Sequence, residues 1–112
     1  MNEQHTKTQT IKREIGNAGE CAVAKYLQNQ GFTIIAQNYT VRAGEIDIIA
    51  QRSPDSWYFI EVKTRRIGPL ANDLSITSAK KRKFEKTIRH YCYKRNIVDG
   101  SFVSAGLLVS FD

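Results

Sequence analysis

A chain of 112 residues with 17 Lys+Arg against 11 Asp+Glu, net charge +6, is the size of one compact domain and is drawn electrostatically towards polyanions. That length leaves no room for a separate substrate domain, and no run approaches the roughly 18 apolar residues of a membrane span. Residues 1–10 are polar and lack the apolar core of a secretory signal, so a cytoplasmic protein with no membrane partner is expected.

Residues 1–10, rich in Gln, Thr and Lys, read as a flexible arm ahead of a single domain over residues 11–112. From 11 to about 30 the spacing is helical, with Ile11, Ile15, Ala22, Val23, Tyr26 and Leu27 as the apolar stripe and Gly31 as the stop. A strand is predicted over 32–38 and a second over 45–51, separated by Ala43-Gly44. Ser53-Pro54-Asp55-Ser56 has the composition of a tight turn, so the strand that follows, 57–64, returns antiparallel as a hairpin. Gly68-Pro69 opens an irregular segment. Residues 75–95 resume helical spacing, with Phe84, Ile88, Tyr91 and Cys92 on one face, and 101–111 form a last strand. The order helix, three strands, helix, strand is an α/β arrangement, one mixed sheet flanked by helices. Cys21 and Cys92 belong to no metal-binding spacing and are expected as buried small apolar residues on the helices.

Side chains alternate along a strand, so Glu45 and Asp47 share one face opposite Ile46 and Ile48, and Glu61 and Lys63 share one opposite Ile60 and Val62. Alternating charge of this kind commonly marks the solvated side of a half-buried sheet. Here, however, Ile48-Ile49-Ala50 and Tyr58-Phe59-Ile60 are continuous apolar runs, which point to strands covered on both faces. Carboxylates in such a place cost several kcal/mol each unless paired or holding a cation. Oxygen donors suit a hard ion such as Mg²⁺, which keeps several waters beside one or two carboxylates and a substrate phosphate.

Three blocks in order, Gly16-Asn17-Ala18-Gly19-Glu20, Gly44-Glu45-Ile46-Asp47-Ile48-Ile49-Ala50 and Phe59-Ile60-Glu61-Val62-Lys63-Thr64-Arg65-Arg66, resemble the YraN-like family of predicted bacterial endonucleases. More broadly, an acidic strand residue followed after a hairpin by Glu-x-Lys is similar to the PD-(D/E)xK nucleases, which include restriction endonucleases and archaeal Holliday-junction resolvases. The resemblance implies a restriction endonuclease-like core and a Mg²⁺- or Mn²⁺-dependent endonuclease acting on DNA phosphodiesters, structured or branched duplexes among them. It makes Asp47 and Glu61 the metal ligands, Lys63 the catalytic lysine and Glu20 an additional acidic ligand on the first helix, with Glu45 a weaker candidate. Glu20 read by itself is equally an ordinary helix-surface glutamate at the edge of the stripe. The chain departs from the wider pattern in having Ile46 where a proline precedes the first acidic residue, and from the YraN-like pattern in having Val103-Ser104-Ala105-Gly106-Leu107 in place of an Arg-Phe-Asp block.

Arg65 and Arg66 follow Lys63 directly, and Lys80, Lys81, Arg82, Lys83, Lys86 and Arg89 make the second helix strongly basic. Arg82, Lys86 and Arg89 share one face at i, i+4, i+7, suited either to phosphate contacts or to plain solvation. With no base-reading module in the sequence, recognition of nucleic-acid backbone is expected, DNA ahead of RNA, and a homodimer would supply the two sites that cutting two strands of a junction requires. The rival expectation is a nuclease-like fold kept as a non-catalytic nucleic-acid-binding or assembly module.

Overall fold

The computed structural model describes residues 18–66 and 77–111, with side chains for 18–63 and 77–106. The expected arm at 1–10, the start of the first helix and the irregular segment at Gly68-Pro69 lie outside the described residues. Helix α1 occupies residues 18–29, β1 Thr33–Val41, β2 Gly44–Ser53, β3 Ser56–Arg66, α2 Ser78–Lys94 and β4 Ser101–Phe111. This is the predicted order, and the four strands form one sheet, β1-β2-β3-β4, antiparallel except for the parallel pair β3 and β4.

Local chemistry sets the boundaries. Gly31, at φ 94°, turns the chain out of α1 and lets the Phe32 N–H reach back to the Leu27 carbonyl at 2.9 Å. Pro54 and Asp55 form the two-residue turn that opposes Ser53 to Ser56, and an irregularity between Gln51 and Ser53 then shifts the ladder by one residue to pair Gln51 with Trp57, Ile49 with Phe59 and Ile48 with Ile60. Thr77 caps α2 by accepting the Lys80 N–H on its hydroxyl at 3.2 Å.

The sheet is covered on both sides, as the continuous apolar runs implied. Val23, Ala24 and Leu27 of α1 pack on Ile48, Ala50 and Ile60, while Tyr91 of α2 packs on Ile46, Ile49 and Phe59. Ile46, Ile48, Ile49 and Ala50 are all fully enclosed. Two expectations are corrected here. Ile46 and Ile48 belong to opposite clusters, so simple alternation breaks down across Asp47. In α1 the buried stripe is Gly19, Val23, Ala24 and Leu27, leaving Ala22, Cys21 and Tyr26 exposed, because small residues bring the helix close to the sheet. Cys92 is half-buried. Among the described residues no helix is long and apolar enough to cross a membrane.

Candidate metal and nucleic-acid site

Pairing between β2 and β3 ends at Ile48 and Ile60. Towards the other end of these strands, β2 stays with β1 as far as Gly44, and β3 stays with β4 as far as Arg66. The sheet therefore forks, and Asp47 and Glu61, the next residues of the ladder, stand opposite each other at its crotch. A fork leaves strand N–H groups without partners, and each must be satisfied. The Asp47 carboxylate does this for one of them, accepting the Val62 N–H on Oδ2 at 2.7 Å. A side chain thus replaces a ladder bond, which holds Asp47 rigidly and leaves Oδ1 for another partner.

Asp47, Glu61 and Glu45 line an open cleft of about 380 Å³ whose other walls come from Arg42, in the β1–β2 turn, and from Lys80 and Lys83 of α2. Gly44 brings α2 this close. A Cβ at that position would stand 2.6 Å from the Thr87 hydroxyl, and Thr87 is itself fully buried and donates to the Lys83 carbonyl at 2.8 Å. The cleft consequently has an acidic floor and a basic rim.

Two carboxyls of this region, those of Asp47 in the cleft and Glu20 on α1, are disfavoured as anions. Burial foremost raises the Asp47 pKa above the ordinary carboxylate value; the Val62 hydrogen bond opposes this, and the negative charges of Glu61 and Glu45 add to it. Glu20, on α1, is raised by burial and then by the charge of Asp47, with a hydrogen bond from the Asn38 side chain acting the other way and Glu45 reinforcing the rise. The Glu20 Oε2 atom is buried and has no hydrogen-bond partner among the described residues. Oxygen-only donors, mutual repulsion and one orphaned carboxylate oxygen fit a hard divalent cation. Still, among the described residues no three acidic, His or Cys side chains stand close enough to form a ready-made metal cage.

The residues singled out from the sequence are thus distributed as follows. Asp47 and Glu61 meet in the cleft, Glu20 on α1 feels the charge of Asp47 without lining the cleft, and Lys63 is half-buried on β3, also without lining it. Lys80 and Lys83 line the same cleft as the carboxylates. Arg82 and Lys86 are exposed outside the cleft, and Arg89 borders a different cavity, a larger apolar one of about 650 Å³ between α2 and β4. That cavity carries Phe59, Ile88 and Phe102 on its walls and lacks a carboxylate pair, so size alone does not locate the chemistry. Arg65 and Arg66 are placed on β3, but their side chains lie outside those described. Sequence reasoning passed over Arg42, Asn38 and Thr87. Only Arg42 carried a signal, two residues before the Gly44-Glu45 block.

The model of the uncharacterised protein family UPF0102 matches residues 19–112. The chain belongs to this family. Curated UPF0102 proteins of Chloroflexus aurantiacus and Desulforapulum autotrophicum are 43% identical over 82 residues and 37% identical over 92. These matches cover 73% and 79% of this chain, and 66% and 73% of the respective relatives. A UPF0102 protein of Vibrio parahaemolyticus is 42% identical over 77 residues, 68% of this chain and 63% of its own length. The chain therefore spans about two thirds of the Chloroflexus relative. The YraN-like resemblance read from the three sequence blocks is this same family.

Proposed function

We propose that this UPF0102 protein is a metal-dependent endonuclease that hydrolyses DNA phosphodiester bonds, with Mg²⁺ or Mn²⁺ held at the sheet fork. The observation that carries the reading is the opposition of Asp47 and Glu61 in a cleft rimmed by Lys80 and Lys83. An acidic floor takes the cation, and a basic rim takes the phosphate. Oδ1 of Asp47 and the carboxylate of Glu61 would hold the ion, with Glu20 contributing from α1. When bound, such an ion lowers the pKa of its water and neutralises charge developing on the phosphate.

The chain's own groups do the rest. The Val62 N–H fixes the Asp47 carboxylate in one orientation. Lys80, Lys83 and Arg42 attract and seat the phosphodiester beside the carboxylates. Lys63, two residues beyond Glu61 on β3, orients the attacking water or stabilises charge that appears only in the transition state. Without a base-reading element, the substrate is recognised through backbone and shape, as a structured or branched duplex, and a homodimer would bring two forks to two strands.

One observation favours a second reading. The want of three converging ligands among the described residues is what a non-catalytic module, binding nucleic acid through its basic rim, would show. Calorimetric titration of the protein with Mn²⁺, alongside Asp47→Ala, separates the two. The nuclease reading expects saturable binding that Asp47→Ala abolishes; DNA binding undiminished in a protein that takes up no Mn²⁺ supports the module.

A further inference from the structure

Helix α2 divides the space above the sheet. On its β2 side Lys80, Lys83 and Thr87 line the cleft that holds Asp47. On its β4 side Lys81 and Phe84 line a smaller cavity of about 250 Å³, together with Ser104, Ala105 and Gly106. Glu61 and Phe84 line both, so the two spaces adjoin at the fork. Gly106 pairs with Glu61 in the parallel ladder, which makes the second cavity a continuation of the carboxylate pair, one strand over. Its floor deepens towards the fork, because at alternate positions along β4 the side chains shrink from Phe102 to Ser104 to Gly106. Glycine inside a strand forfeits cross-strand packing and marks a place where a ligand or another backbone comes close. Gly106 is ordinary strand, outside the left-handed region that calls for glycine, so what it supplies here is room.

We propose that this second cavity receives one unstacked nucleobase, from the nucleotide next to the scissile phosphate, while Lys81 holds that nucleotide's own phosphate. The inference rests on the nucleic-acid reading of the fork and gives it a substrate class. Single-stranded or branch-point nucleotides, whose bases leave the stack at little cost, are taken ahead of continuous duplex. The cavity is smaller than the roughly 300–1,000 Å³ that holds a drug-sized ligand, a scale suited to a single ring system. Half-buried Phe84 brings an aromatic ring to the boundary of the two spaces and is packed on the cluster around Tyr91, so it offers a fixed surface for a base. Lys81 is exposed and lines this cavity, while Lys80 and Lys83 line the other. Cations therefore stand on both sides of Glu61, as successive phosphates of one strand require. Such a site tolerates any sequence, because every base has a π-face.

The test measures, by fluorescence anisotropy in the presence of Ca²⁺, binding of the full chain to a short oligothymidylate and to an abasic oligonucleotide of equal length. The two probes carry the same phosphates and differ only in their bases. Wild type is expected to bind the oligothymidylate about 10-fold more tightly, within the range for one base stacked on an aromatic ring. Gly106→Val fills the floor with a side chain that suits an extended strand, so it should melt close to wild type and bind the two probes alike. Phe84→Leu, which keeps an apolar side chain on the core but removes the ring, should also lose the preference, and it carries the test if valine unfolds the strand. Lys81→Ala should weaken both probes equally and lower the single-strand salt slope by about 0.7. A folded Gly106→Val variant that keeps the wild-type preference overturns the proposal, as does a wild type that binds both probes equally. A wild type that binds neither probe removes the nucleic-acid reading itself, which is a separate failure.

Discussion

Replacing Gly44 by alanine tests how closely α2 is seated on β2 beside the cleft. The added Cβ would stand 2.6 Å from the Thr87 hydroxyl and 3.4 Å from Lys83 Cε. The lysine carbon belongs to a flexible arm and can move. Thr87 cannot easily do so, being fully buried with its hydroxyl bonded to the Lys83 carbonyl. Overpacking of this kind costs about 1–3 kcal/mol. Gly44 also has φ 156°, so alanine adds backbone strain of about 1 kcal/mol, kept small because a modest rotation reaches extended geometry. Gly44→Ala should therefore lose about 2–3 kcal/mol in urea unfolding, a large part of the roughly 5–15 kcal/mol typical of a domain. Thr87→Ala removes the clashing oxygen, so the double variant should be more stable than the sum of the single losses predicts, by about 1–2 kcal/mol. Thr87→Ser retains that oxygen and should give no relief. A loss below about 0.5 kcal/mol for Gly44→Ala, or strict additivity with Thr87→Ala, would refute the reasoning.

Asp47→Asn keeps an acceptor for the Val62 N–H but removes a charge that burial, Glu61 and Glu45 all disfavour. Because the folded pKa lies above the unfolded one, Asp47 costs the fold stability as pH rises from its ordinary value of 3.8 through the raised folded value. The variant should thus be more stable than wild type at neutral pH, by about 1 kcal/mol or less after solvent screening, and the difference should vanish in acid; a destabilised variant at neutral pH would contradict this. Lys80→Ala with Lys83→Ala should lower the salt slope of DNA binding by about 0.9 per lost phosphate contact, and more than Arg82→Ala with Lys86→Ala, whose side chains point outside the cleft; the reverse ranking would put the nucleic acid on the outer face of α2. Lys63→Ala should raise the barrier of cleavage by about 2–4 kcal/mol while leaving Mn²⁺ affinity unchanged, and single-turnover rates equal to wild type would take Lys63 out of the mechanism.

That Asp47 and Glu61 lie on neighbouring strands was legible in the tight turn at Pro54 and Asp55, but their opposition was not, since an irregularity between Gln51 and Ser53 shifts the ladder by one residue from the Ser53–Ser56 pair. Burial of both faces was legible in the unbroken apolar run Ile48-Ile49-Ala50. The fork itself was not, since alternation treats a strand as continuing with the same neighbours, and here Ile46 follows β1 and α2 while Ile48 stays under α1. Helix phase was the other weak point. Tyr26 reads as core by hydropathy but is 60% exposed, because close approach favours Gly19 and Ala24 at the contact. On α2, lysines and arginines occur around most of the helix, and the buried Thr87, a polar residue, marks the inward face more truly than any charge pattern does.

Single-turnover cleavage of a branched DNA duplex in saturating Mn²⁺, by wild type and by Asp47→Asn, tests the central claim most directly. The account predicts cleavage by wild type and a rate lower by 100-fold or more in a variant at least as stable, a loss of about 3 kcal/mol of transition-state stabilisation. Equal rates in the two proteins, or no cleavage of branched, duplex or single-stranded DNA by a wild type shown to hold Mn²⁺, would contradict it.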